Sequence, residues 1–306
     1  MALIRKMRAV LALFLALLQP TAAGPVSLTP AEAAAVARDI EGRRTEAERA
    51  LRTSPTSYLA TVARYDFGER TRLTVGRAPD NDVRLDDDGV RPHHLEIRVD
   101  GDRFAVRATE ASATFRVGDI ERREATLDPT SIGVGRFVLR LSHQRFPAII
   151  VFDPSSPRLR EYKGLKFFPV DLALRYELAL TPNATPETVV IMSTRGTPRR
   201  AERVGWFDFS VGGTVCRLEA TRLLEPGVGE EAVSVYFRDA TSGGETYPLG
   251  RYIDAERLPD GRYLLDFNLA YNPLCAFSEH YNCPIPPKAN TLPVPIRAGE
   301  MDAKYH

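Results

Sequence analysis

The sequence predicts a mainly β protein: one N-terminal α-helix, then a β-sandwich, then a second β-rich region closed by a long proline-rich loop. Three observations carry this. A helix-start signature at Thr29-Pro30-Ala31-Glu32 opens the folded chain. From Tyr58 onward, strand-length apolar runs recur between turn signals with no helical period between them. Six prolines lie between Pro273 and Pro295, which excludes helix and central strand there.

The helix is predicted from Thr29 as cap, Pro30 at the first helical position and Glu32 near the positive end of the dipole. It should run to about Thr53, before Pro55, within a segment 24–56. Val36, Ile40, Ala47 and Leu51 form a thin apolar stripe, enough to pack along one side.

The sandwich is assigned to 57–152. Its expected strands are Tyr58–Ala63, Thr71–Val75, Asp82–Leu85, Leu95–Val99, Phe104–Ala108, Thr114–Val117, Phe137–Leu141 and Ala148–Phe152. Turn signals such as Asp87-Asp88-Gly89 and Asp100-Gly101-Asp102 separate them. Asp153-Pro154-Ser155-Ser156-Pro157 reads as the boundary. In the region 153–306 the expected strands are Leu174–Leu180, Thr188–Met192, Arg203–Phe209, Thr214–Ala220, Ala232–Phe237, Tyr263–Phe267 and Val294–Arg297.

Residues 1–23 have the parts of an export signal. Arg5, Lys6 and Arg8 precede the apolar run Ala9–Leu18, and Thr21, Ala22 and Ala23 offer a cleavage site before Gly24. Ten apolar residues are too few for a membrane span, which needs roughly 20. The expected location is therefore periplasmic or secreted, with no transmembrane anchor after cleavage. Of the 306 residues, 41 are Lys or Arg and 40 are Asp or Glu, a net charge of +1. Without the first 23 residues the balance is 38 to 40, which argues against nucleic acid as a partner. Only five of the basic residues are lysine, and arginine suits fixed pairing with carboxylates.

In an oxidising compartment Cys275 and Cys283 are expected to form a disulfide. Two buried thiols, or a metal held with the intervening His280, are the other readings. Cys216, in the apolar stretch Thr214–Leu218, reads as an inert core thiol.

Gly76-Arg77-Ala78-Pro79-Asp80-Asn81-Asp82, followed by His94-Leu95-Glu96-Ile97, resembles a forkhead-associated (FHA) domain. The resemblance implies a phosphothreonine site in which an arginine and a serine hold the phosphate and a histidine props the loop. Gly76, Arg77 and His94 match. Arg91 stands at the serine position, Pro92 at the following arginine, and Val117 where a peptide-clamping asparagine is usual. Arg77 and Arg91 remain candidates for binding an anion.

The C-terminal region carries longer motifs. Tyr162-Lys163-Gly164-Leu165-Lys166-Phe167-Phe168-Pro169 precedes Phe237-Arg238-Asp239-Ala240-Thr241-Ser242-Gly243-Gly244, then Gly250-Arg251-Tyr252. Asp266-Phe267-Asn268-Leu269-Ala270-Tyr271-Asn272-Pro273 and Cys283-Pro284-Ile285-Pro286-Pro287 follow. These resemble the domain-of-unknown-function 1684 family over at least 160–300. Leu274 and Thr291 depart from it, where a second proline and a basic residue are usual. The family implies no activity.

Read on their own, Arg238, Asp239, Arg251, Asp266, Asn268, Tyr271, Asn272, His280 and Glu300 are polar groups set among aromatics. They brace long loops, line a ligand site, or supply an acid and a base from paired carboxylates such as Asp239 and Asp266. Thr241-Ser242-Gly243-Gly244 reads as a hairpin turn or as an anion cradle. No nucleotide, metalloprotease or serine-hydrolase fingerprint occurs, so no cofactor is expected. The leading expectation is a non-catalytic binding protein for a small molecule or an envelope protein. The alternatives are a hydrolase-like enzyme using the carboxylates, and an anion or phosphopeptide module.

Overall fold

The structure, a computed structural model, describes residues 23–144, 146–302 and 304. The expected export segment lies outside the described residues apart from Ala23. That residue's carbonyl accepts from the Ser210 amide, beside a parallel bridge to Phe209.

Helix α1 spans Pro30–Thr53, as its start and stop signals require. Thr29 and Glu32 form a reciprocal capping box: the Thr29 amide donates to Glu32 Oε2 at 2.8 Å and the Glu32 amide to Thr29 Oγ1 at 3.4 Å. Its buried face carries Ile40, Arg44 and Leu51, spaced to lie on one side. Arg44 is the polar member that apolar periodicity does not reveal.

The sandwich consists of two antiparallel sheets with one short parallel pairing. The first runs in the order Thr61–Asp66, Phe146–Phe152, Phe137–Gln144, Ser131–Val134, Phe115–Val117, Ile120–Arg122. The second runs Val83–Arg84, Arg72–Gly76, Leu95–Asp100, Arg103–Ala108, Glu124–Leu127. Leu73, Val75, Ile97, Phe104, Val106, Leu139 and Leu141 lie between them, each fully buried. Alternation along Phe137–Gln144 sends Leu139 and Leu141 into this core and turns Val138, Arg140 and Ser142 to the opposite face.

The C-terminal region holds a five-stranded sheet, Thr181–Met192, Pro198–Val211, Thr214–Leu223, Ser234–Phe237, Arg251–Asp254. A three-stranded sheet, Arg175–Leu178, Tyr263–Asp266, Glu256–Arg257, packs with it around Tyr176, Phe207, Phe209, Phe237 and Phe267. A third apolar cluster joins the parts: Leu51 from α1, Ile150 and Phe152 from the sandwich, and Tyr236, Tyr252, Phe277 and Tyr281 from the C-terminal region. The outward face of the first sheet is therefore covered in part, with Ile150 and Phe152 buried and Val138 and Arg140 half-buried.

Several strand expectations are corrected. Tyr58–Ala60 is a 3-10 turn, and the strand begins at Thr61. Val294–Arg297 is irregular, because Pro293 and Pro295 remove ladder donors. Ile120–Arg122, Glu124–Leu127, Ser131–Val134 and Arg251–Asp254 are strands with no sequence forecast. The first two are short and mostly exposed, so they lack an apolar alternation to read. Of the segment 153–157, Pro157 opens a short helix to Glu161, and Ser156 Oγ donates to the Leu59 carbonyl.

Candidate functional site

Five of the nine predicted residues of the C-terminal cluster meet on one cavity. Asp266, Asn268, Tyr271, Asn272 and Glu300 line a space of about 600 Å³ between α1, the sandwich and the C-terminal sheets. Ala47, Ala50 and Leu51 wall it from α1, and Arg140 from the sandwich. The half-exposed pair Arg43 and Glu256, 3.7 Å apart, also stands on its lining.

Two side chains of α1 tie the helix to this wall. Arg44 donates to the carbonyls of Phe168 and Asn268 at 3.0 and 3.1 Å. Glu48 Oε2 accepts from the Leu165 amide at 2.7 Å and from the Tyr162 hydroxyl at 2.5 Å. The Tyr162–Pro169 motif is thus partly a dock for α1. Sequence reasoning missed Arg44 and Glu48, because polar helix residues read as solvated.

The polar wall is built on 3-10 turns. Asp266 caps the turn Phe267–Leu269: its Oδ1 accepts from the Asn268 amide and side chain, and its Oδ2 pairs with Arg175. Asn268 also bonds both backbone groups of Asp171. Tyr271 donates to Asp254 Oδ2 at 2.9 Å, and Ser234 donates to the other oxygen of that carboxylate at 2.7 Å. Glu300 accepts from the Asn272 amide at 2.8 Å. Burial pushes its carboxyl up to about 7, against the pull of that amide and of the Arg251 cation. Asn272 donates to the Met301 carbonyl, and its Oδ1 is buried with no hydrogen bond among the described residues.

The other four predicted residues lie elsewhere. Asp239 and Arg251 form a buried ion pair that braces the loop segment 296–300. Arg238 pairs through its backbone with Asn290 and Leu292. His280 is half-buried, and burial lowers its imidazole pKa. Asp239 and Asp266 do not share an open cleft, since each is committed to an arginine and to backbone or side-chain amides. Asn290, outside the nine predicted residues, proves to be a brace: it bonds both backbone groups of Glu219 and the Tyr236 carbonyl.

Of the two readings of Thr241–Gly244, the structure has the turn and not the cradle. The amides from Thr241 to Thr246 all donate within the turn, so none points at an anion. The expected disulfide is corrected. Cys275 and Cys283 are free buried thiols, with the Cys275 amide donating to Cys283 Sγ at 3.2 Å. The contact with the Cys283 thiol lowers the Cys275 thiol pKa and raises that of Cys283. No group of three His, Cys, Asp or Glu able to hold a metal ion occurs among the described residues. Cys216 is buried, which raises its thiol pKa.

Loops of the sandwich form a second candidate. The Arg77 amide donates to the Arg91 carbonyl at 3.0 Å, so the two arginines stand on adjacent loops. Arg91 is exposed, and Arg77 contacts Asp88 at 3.2 Å. His94 props the loop: its Nδ1 accepts from the Arg91 amide at 2.9 Å while Nε2 donates to the Thr114 carbonyl at 2.7 Å. Gly76 is needed there, since a Cβ would fall 2.2 Å from the Pro92 carbonyl oxygen. Val117 offers no polar group in the expected clamp position.

Residues 160–301 match the family described as protein of unknown function (DUF1684), and residues 73–129 match the FHA domain. Among solved structures, an uncharacterized protein of Haloarcula marismortui is 35% identical, covering 50% of this chain and 85% of that one, with a TM-score of 0.40. A phosphothreonine-dependent FHA domain is 28% identical over 26% of this chain and 75% of its own, with a TM-score of 0.21. The FHA domain of FhaA, solved with an intracellular domain bound, is 23% identical over 28% and 96%, again at 0.21. None of the curated proteins compared with the chain matches it.

Proposed function

The chain belongs to the DUF1684 family of unknown function and carries an FHA domain ahead of that region, and on this footing we propose that it is an exported, non-catalytic binding protein whose ligand occupies the cavity beside α1. The observation that carries this reading is convergence. Asp266, Asn268, Tyr271, Asn272 and Glu300 meet α1 and Arg140 around one space of about 600 Å³, and ligand sites commonly span roughly 300 to 1,000 Å³. Binding is favoured over hydrolysis because the neighbouring carboxylates are engaged. Both oxygens of Asp266 and of Asp254 already accept hydrogen bonds or ion pairs, and Glu256, the other carboxylate on the lining, faces Arg43 at 3.7 Å, so each acidic neighbour of Glu300 stands against a partner of its own. Export rests on the basic and apolar pattern of residues 1–23.

The test is to purify the protein from an envelope fraction and look for a retained small molecule by native mass spectrometry. Ala47→Trp, at an exposed helix position on the cavity lining, should abolish retention without unfolding the protein. Finding the protein empty in that fraction, and indifferent to extract in a thermal-shift assay, would sink the reading. N-terminal sequencing of the fraction should begin at Gly24.

A second reading is phosphopeptide recognition at Arg77 and Arg91. The FHA match and the adjacency of the two loops favour it, while the hydroxyl and amide expected of such a site are replaced by Arg91 and Val117. Binding of a phosphothreonine peptide that is lost on Arg77→Ala would establish it. Equal binding of phosphorylated and plain peptides would remove it.

A further inference from the structure

A second cavity of about 350 Å³ adjoins the first, between the outward face of the sandwich and the tyrosine-bearing strands of the C-terminal region. Tyr58, Arg140, Tyr271 and Leu274 line both. The arginines on the two linings are Arg43, Arg44, Arg64, Arg140 and Arg199. Arg43 pairs with Asp39 and Glu256, Arg44 with Glu41 and two carbonyls, Arg64 with Asp66, and Arg199 with Glu225. The Arg140 guanidinium alone has no hydrogen bond or ion pair among the described residues, its backbone being paired within the sheet. It is half-buried, and its guanidinium stands 5.0 Å from the centre of the Phe152 ring. A partly desolvated cation normally finds a carboxylate inside its own chain. Here every other arginine on the two linings has done so and this one has not.

Resting on the reading of the cavity as a ligand site, we infer that its ligand is a monocarboxylate with an apolar body, the carboxylate paired with Arg140. The planar guanidinium presents parallel N–H groups that match a carboxylate two to two. Charge argues for a single negative charge. Arg43 and Arg44 share the larger lining with Asp254, Glu256, Asp266 and Glu300, so no cation beyond Arg140 awaits a second one. A phosphate dianion would bring its extra charge toward those carboxylates. Apolar side chains account for the body: Leu51, Phe167, Leu264, Leu269, Leu274 and Phe277 share the cavity with the Tyr58 ring. Arg140 comes from the sandwich and the polar wall from the C-terminal region, so such a ligand would contact both parts at once.

The test uses the whole protein lacking residues 1–23 and three probes: decanoate, 1-decanol and decyl phosphate, read by calorimetry. Decanoate should bind about tenfold more tightly than decanol, the gain of a charge-assisted hydrogen-bonded pair. Arg140→Gln should bring decanoate to the level of decanol and leave decanol binding unchanged, which also reports an intact fold. Arg140→Lys should keep part of the preference, with the charge retained and the fork lost. Equal affinities for decanoate and decanol in the unaltered protein overturn the anion assignment but leave the cavity reading standing. A preference that survives Arg140→Gln overturns the role of Arg140. Tighter binding of decyl phosphate overturns the monocarboxylate class. Failure of all three probes overturns the inference, whereas the retained-molecule experiment judges the cavity reading itself.

Discussion

Arg251 and Asp239 form an ion pair at 2.9 Å whose side chains are essentially excluded from solvent, at 0% and 1% exposure. Arg251 also donates to the carbonyls of Ile296, Ala298 and Glu300, so one guanidinium holds the returning loop against the strand Arg251–Asp254. Asp239 Oδ1 receives the amides of Thr241 and Ile296. The pair is structural, and it fixes the backbone that carries Glu300 into the cavity.

Asp239→Asn leaves a buried cation without its counter-charge. The expected loss is about 3–5 kcal/mol, read from urea unfolding. Removing both charges together, as Asp239→Leu with Arg251→Met, should restore part of that loss. A single variant as stable as the unaltered protein would contradict the bracing role.

Glu300 makes stability depend on pH in a definite direction. Its carboxyl is raised to about 7 from an ordinary 4.5. Below pH 4.5 the group is protonated in both folded and unfolded chains, and its contribution is fully present. Between about 4.5 and 7 only the unfolded chain ionises, so this contribution falls as pH rises, by about 3 kcal/mol over the window. Glu300→Gln should abolish that component. The measurement is the difference between the two stability–pH curves, which should widen with pH up to about 7 and then level off.

Arg44 sets the placement of α1. Arg44→Ala removes two hydrogen bonds to backbone carbonyls of the C-terminal region. Charged hydrogen bonds of this kind contribute roughly 1.5–3 kcal/mol each before relaxation. Amide exchange should accelerate within Pro30–Thr53, while amides of the core strand Leu95–Asp100 keep their protection. Binding in the cavity should weaken with it, because α1 supplies one wall.

Gly299 has a φ of +76°, and a Cβ there would lie 2.5 Å from the Ala270 carbonyl oxygen and 2.7 Å from that of Phe267. Gly299→Ala should therefore cost at least about 1–3 kcal/mol through backbone strain, with the steric clash added. The variant should show a lowered unfolding midpoint in denaturant and a displaced Glu300 side chain.

Much of the architecture was legible because local chemistry decides it. The cap at Thr29 and the stop before Pro55 bound α1 at both ends. Alternation placed most sandwich strands within a residue or two. Short charged edge strands such as Ile120–Arg122 escaped, since an exposed strand has no apolar face to announce it. The polar cluster was legible as a set of unusual residues but not as a site. Asp239 and Asp266 look alike in sequence, yet one is sealed against Arg251 and the other stands on the cavity wall.

By itself the sequence determined the mainly β class, the capped helix, the proline-stiffened closing segment and the resemblance to the two families, all of which follow from local propensity and motif order. Only the tertiary structure decided what meets what. Arg140 lies on the strand face turned away from the sandwich core, and it becomes a cavity cation because α1 and the C-terminal sheets cover that face. The covering of that face comes from contacts between residues far apart in the chain, such as Arg44 with Asn268, 224 positions away, and no local pattern encodes them.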